Sequence, residues 1–68
     1  MNKFNIILKE LRLDNNLTQV ELAEKLNIRQ QSYLRYELGK GEPSLDTLIL
    51  LTQIFNVSAD YLLGISDI

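Results

Sequence analysis

Two helices with almost nothing between them constrain this chain more than any other feature. Thr18-Gln-Val-Glu21 spells a capping box. The threonine oxygen can accept from the backbone three residues on, and the glutamate can reach back to the threonine N–H. A short helix therefore starts at Thr18 and buries Leu22, Ala23 and Leu26. Asn27 ends it, because asparagine tolerates the left-handed conformation. The next helix runs from about Arg29 to Leu38, with Gly39 as its stop. A junction of two or three residues leaves the axes little choice but to cross steeply, as in a helix-turn-helix.

The remaining segments are helical too. Phe4, Ile7, Leu8 and Leu11 follow the i, i+3, i+4, i+7 pattern of a buried stripe, which Asp14, Asn15 and Asn16 break. The loop GKGEP holds two glycines and a proline, which forbid regular structure. Ser44 caps a fourth helix, and Asp46 in its first turn complements the dipole. Its expected core face is Leu45, Leu48, Leu51 and Phe55, with Thr52 on the same stripe. Ser58 caps a last helix through Leu63 that Gly64 closes, with Val57 and Tyr61 turned inward. Strand alternation, internal repeats and low-complexity segments are absent from the sequence. The expectation is an all-α domain of five short helices over residues 1–68, with the helix-turn-helix at about 18–38 and a tail at 64–68. A chain of 68 residues buries only ~60% of its unfolded surface, so its stability should be small.

Composition narrows the chemistry. With no cysteine and no histidine, the chain lacks thiolates, the commonest metal ligand and the commonest general base. No carboxylates are paired in an evident pocket, so nothing motivates an enzyme, a metal or a cofactor. The N-terminus shows no secretory pattern, and the apolar cluster Leu48 to Leu51 is far short of the ~20 residues that span a bilayer. The expected location is the cytoplasm, without membrane or small-molecule partners.

The net charge is −2, mildly against a polyanion partner, but it is unevenly spread. Residues 25–40 carry Lys25, Arg29, Arg35 and Lys40 against Glu37, a local +3. Residues 41–68 carry Glu42, Asp46, Asp60 and Asp67 and nothing basic. Such asymmetry either marks an anion-facing patch or is chance clustering of few charges.

On a wheel of about 100° per residue, Gln30, Leu34, Leu38, Gln31 and Arg35 share one arc of ~140°. Arg29, Tyr33, Tyr36 and Glu37 lie on the other side. The arc with both rings is the expected anchored face, which leaves the amides and the guanidinium outside. Glutamine offers a donor and an acceptor in one plane, matching adenine N7 and N6–H in the DNA major groove; arginine matches guanine O6 and N7. Taken singly, such glutamines are ordinary solvated residues. Here they stand on the second helix of a steep pair, at the width of a groove that accepts a helix.

TQVELAEKL, NIRQQSYLRYELGKGEPS, LDTL and NVSADYLLG together resemble the Cro/C1-type helix-turn-helix domain (XRE family) of phage repressors and small bacterial regulators. The likeness covers Phe4 to Gly64. It implies a compact lambda-repressor-like fold and binding to double-stranded operator DNA, commonly as a homodimer, with repression as the expected outcome. By the same resemblance, Gln30, Gln31, Leu34 and Arg35 face base edges, Arg35 reading a base or gripping a phosphate. Thr18, Gln19, Arg29, Ser32 and Lys40 lie along the DNA backbone, with Gln19 also buttressing Gln30 and Ser32 partly structural. Arg12 and Glu37 match a partly buried ion pair between the first and third helices. Dimerisation, if it uses this body, is expected at Tyr61, Ile65 and Ile68.

Three departures stand out. Arg29 replaces the Ser or Thr that usually opens the third helix, giving up a cap worth ~1 kcal/mol for a cation near the DNA backbone. Leu34 replaces a residue more often small and polar. It could touch a thymine methyl, or join Leu38 in an apolar patch for another protein. Leu13 and Leu50 occupy positions often charged in relatives. A protein-interaction module on the same scaffold therefore stays open beside the DNA reader.

Overall fold

A computed structural model describes residues 2–66. Among these, five helices and no strand are found: α1 (Phe4–Asp14), α2 (Gln19–Lys25), α3 (Gln30–Glu37), α4 (Leu45–Phe55) and α5 (Ala59–Leu62). The body measures 28 × 23 × 21 Å.

The helix ends are set locally. At α2 both halves of the capping box form: Thr18 Oγ1 accepts from the Glu21 N–H at 3.0 Å, and Glu21 Oε1 accepts from the Thr18 N–H at 2.8 Å. Ser44 and Ser58 cap α4 and α5 by accepting from Thr47 N–H and Tyr61 N–H. Asn16, Asn27, Gly39, Asn56 and Gly64 all take the left-handed conformation just past a helix. The residue after each returns its N–H to a carbonyl five positions back, as Ile28 does to Ala23 and Lys40 to Arg35. Leu17, Ile28 and Val57 stand at such returns and pack against the core, so the same turns that end helices also fold the chain inward.

The core is Phe4, Leu8, Leu22, Ala23, Leu26, Tyr33, Leu51, Phe55 and Leu62. α1 packs on α3 and α5, α2 on α3, and α4 on α5. Phe4, Tyr33 and Tyr36 meet edge-on, with ring centroids 6.2–6.3 Å apart, which roots α3 against α1.

On α4 one expectation fails. Leu45 is 77% exposed, whereas Thr47 is buried. Leu45 lies about 120° around the helix from the fully buried Leu51, but Thr47 only about 40°. Thr47 can be buried because its hydroxyl and backbone N–H both meet Ser44 Oγ at 3.1 Å. The expected stripe of Leu48, Leu51 and Phe55 does face inward. Thr52 is half-buried and returns its hydroxyl to the Ile49 carbonyl. Val57 and Tyr61 are half-buried, but the deepest residue of α5 is Leu62.

Candidate nucleic-acid interface

The two sides of α3 differ completely. Tyr33 is fully buried and Tyr36 half-buried, while Gln30, Gln31, Ser32, Leu34 and Arg35 are exposed. Gln30, Gln31 and Ser32 make no side-chain hydrogen bond among the described residues. Arg29 was expected on the anchored arc; it is exposed at the N-cap and makes no side-chain cap bond. Its extended backbone puts it outside the helical wheel. Leu34 and Leu38 are 37% and 55% exposed, so an apolar strip runs beside the amides.

Beside the rings, a single carboxylate ties the inner side of α3 to its neighbours. Glu37 Oε2 accepts from Arg12 Nε at 2.6 Å and from the Tyr33 hydroxyl. Its Oε1 accepts from Arg12 Nη2 at 3.3 Å and from Gln19 Nε2 at 3.2 Å. Arg12 Nη1 donates to the Leu17 carbonyl at 2.9 Å. One side chain of α3 therefore gathers donors from α1, α2 and α3, and the arginine also grips the turn before α2. The Arg12 and Glu37 side chains are only 9% and 4% exposed. Buried charges are tolerated when every lone pair finds a donor, and here they do.

The titration directions follow. Burial alone would raise the Glu37 carboxyl, but the bonds from Arg12, Tyr33 and Gln19 outweigh it and hold it below the ordinary carboxylate value. The Tyr33 hydroxyl is pushed up by burial and by its bond to Glu37. The bond to Glu37 raises Arg12 against the desolvation that would lower it. All three groups stay in their pairing states near neutral pH.

Gln19 was expected to buttress Gln30. Its amide nitrogen donates to Glu37, and the side chain is half-buried. Its position after a capping threonine could not reveal this, because the partner lies eighteen residues away on another helix. Thr18 is exposed with its oxygen engaged in the cap. Lys40 is exposed just past α3, and Arg35 Nη2 donates to its carbonyl at 2.7 Å. Tyr61 is half-buried and Ile65 is 73% exposed. Ile68 lies outside the described residues. No helix among the described residues is long and apolar enough to cross a membrane.

Comparison with known proteins gives a consistent picture. A family model described as helix-turn-helix matches residues 8–62. The chain is 46% identical over 61 residues to the HTH-type transcriptional regulator ImmR of Bacillus subtilis, covering 90% of this chain and 48% of that protein. It is 35% identical over 49 residues to the cryptic phage CTXphi transcriptional repressor RstR of Vibrio cholerae, covering 72% and 44%. A solved transcriptional regulator from Listeria innocua superposes with a TM-score of 0.90 at 30% identity, over 94% of this chain and 60% of that one. The chain spans about half the length of the curated relatives it matches.

Proposed function

The chain belongs to the helix-turn-helix family of Cro/C1 type, and from that premise we propose that it is a sequence-specific DNA-binding transcriptional regulator acting as a repressor. The observation that carries this is the division of α3, whose rings turn toward the core and whose amides stand free. α3 lies in the major groove with Gln30 and Gln31 toward base edges and Leu34 in reach of a thymine methyl. Arg29, Ser32, Thr18 and Lys40 lie along the phosphates, with Gln19 behind them. The relatives ImmR, a regulator, and RstR, a repressor, support the regulatory role.

A net charge of −2 releases few counterions, so one copy binds weakly. Two copies on half-sites about one helical turn apart share that cost. The exposed Ile65 and the half-buried Tyr61, with Ile68, are the proposed contact. The role needs no catalytic step, cofactor, membrane or small-molecule substrate, and it belongs in the cytoplasm with the DNA. Exposure of Leu34 and Leu38 favours one other reading, a protein-interaction module. Selection of duplexes from a random pool, followed by salt titration, separates the two. A DNA reader enriches a sequence, loses affinity with salt and loses discrimination in Gln30→Ala. An interaction module enriches nothing.

A further inference from the structure

We infer that Glu37 is a positioning residue for recognition as well as an anchor of the fold: it turns the oxygen of the Gln19 amide outward, so that Gln19 meets an N–H donor at the DNA and does not grip a phosphate. This rests on the function proposed above and deepens it.

Gln19 is the first residue of α2, the helix of the pair that crosses the DNA backbone. A free amide turns end for end at little cost, so its place in the chain does not say which end faces out. Here the surroundings choose. Glu37, paired with Arg12, is a carboxylate that only accepts. Gln19 Nε2 donates to Glu37 Oε1 at 3.2 Å. Turned round, the amide would set oxygen against oxygen at that distance and lose a charge-assisted bond. The nitrogen is therefore the inner end, and its second hydrogen stays there with it.

The oxygen is the outer end. It makes no hydrogen bond among the described residues, yet no buried side-chain oxygen or nitrogen among them lacks a partner. An unbonded oxygen on this half-buried side chain must then reach the surface. The Glu37 side chain is 4% exposed, too deep to touch DNA, so it acts through Gln19. Phosphate oxygens take their bonds from donors, and an outward acceptor offers them none. It suits an N–H: the unused amide of Gln30, or an amino group of adenine or cytosine in the major groove.

The first measurement needs no DNA and no variant. In spectra of the side-chain amides by NMR, one Gln19 proton should lie downfield and exchange more slowly than those of Gln30 and Gln31. A Gln19 amide that behaves like theirs overturns the inference and leaves the proposed function standing. The second compares affinity for the selected duplex in Gln19→Met, Glu37→Gln and the two combined, at a temperature where melting shows each folded. Glu37→Gln should weaken binding about threefold to tenfold, the worth of one hydrogen bond, and add almost nothing once Gln19→Met is present. The same loss in both backgrounds makes Glu37 a fold anchor alone and overturns the inference. If Glu37→Gln does not fold, the pair Arg12→Met with Glu37→Gln, which leaves no buried charge unpaired, takes its place. In the third, neutral methylphosphonates replace the phosphates one at a time. A position whose effect vanishes in Gln19→Met reveals a phosphate grip and also overturns it. Gln30→Ala separates the two donors: loss of the Gln19→Met effect assigns the N–H to Gln30, and its persistence assigns it to a base. An unaltered chain that binds no duplex overturns both this inference and the function beneath it.

Discussion

The inner and outer sides of α3 are built from the same eight residues and obey opposite rules. On the inner side the carboxylate is saturated: Glu37 accepts four hydrogen bonds, from Arg12, Tyr33 and Gln19. On the outer side Gln30 and Gln31 hold their donors and acceptors unused. Saturation costs the inner face any freedom to bind a ligand, and it fixes the crossing of α1, α2 and α3. Vacancy costs the outer face nothing in water, and leaves its hydrogen-bonding groups available to a partner. The lesson is that the free side chains of the outer face are positioned by a network in which Gln30 and Gln31 take no part.

The strongest way to break this contrast is Glu37→Ala. It strands the Arg12 guanidinium in a site that is 9% exposed. Removing one partner of a buried pair costs ~3–5 kcal/mol, a large share of what a domain this small possesses. Chemical denaturation should show the variant largely unfolded at temperatures where the unaltered chain is intact. Gln30→Ala attacks the other side. Its melting temperature should not move, whereas discrimination at one base pair should fall by ~1–3 kcal/mol in competition binding.

Tyr33→Phe sharpens the inner rule by taking away one donor only. It should cost roughly 1–2 kcal/mol, since one oxygen of Glu37 loses a bond where water cannot replace it. That loss should appear in denaturant midpoints with the m-value unchanged.

Acid gives a fourth probe. Glu37 sits below its ordinary value of 4.5 in the folded chain, so the unfolded chain takes up the proton more readily. The stability it contributes is full above pH 4.5 and is lost as pH falls through the lower native value. Glu21, lowered by its bonds to Thr18 in the capping box, acts with the same sign. Melting followed from neutral to acid pH should show the decline, and Glu37→Gln should lessen it. The smallest effect is expected at Leu45. Leu45→Gln should stay within ~0.5 kcal/mol of the unaltered chain, because the side chain is 77% exposed. A larger loss would mean that α4 buries this residue after all.

Much of the exposed face of α3 was legible before any coordinates. Two tyrosines three apart, with glutamines on the other arc, told which side of α3 would be outward, because a ring of that size seeks the core wherever the wheel allows. The failures have a common form. Leu45 was assigned to the stripe on hydrophobicity, although its angle from Leu51 was already unfavourable. Arg29 was placed by a wheel that does not apply to an extended N-cap. Gln19 also donates to Glu37, a partner that the resemblance did not name.

What the sequence determined by itself are the five helices and their limits. Thr18, Ser44 and Ser58 begin helices, and Asn27, Gly39 and Gly64 end them, through hydrogen bonds and left-handed turns that span at most five or six residues. Such interactions are complete within the segment that encodes them. Tertiary structure alone decided which donors meet Glu37, drawn from helices eighteen and twenty-five residues away. Those outcomes depend on where separate helices come to rest. A side chain with several rotamers takes the one its surroundings complete, and those surroundings exist only once the chain has folded.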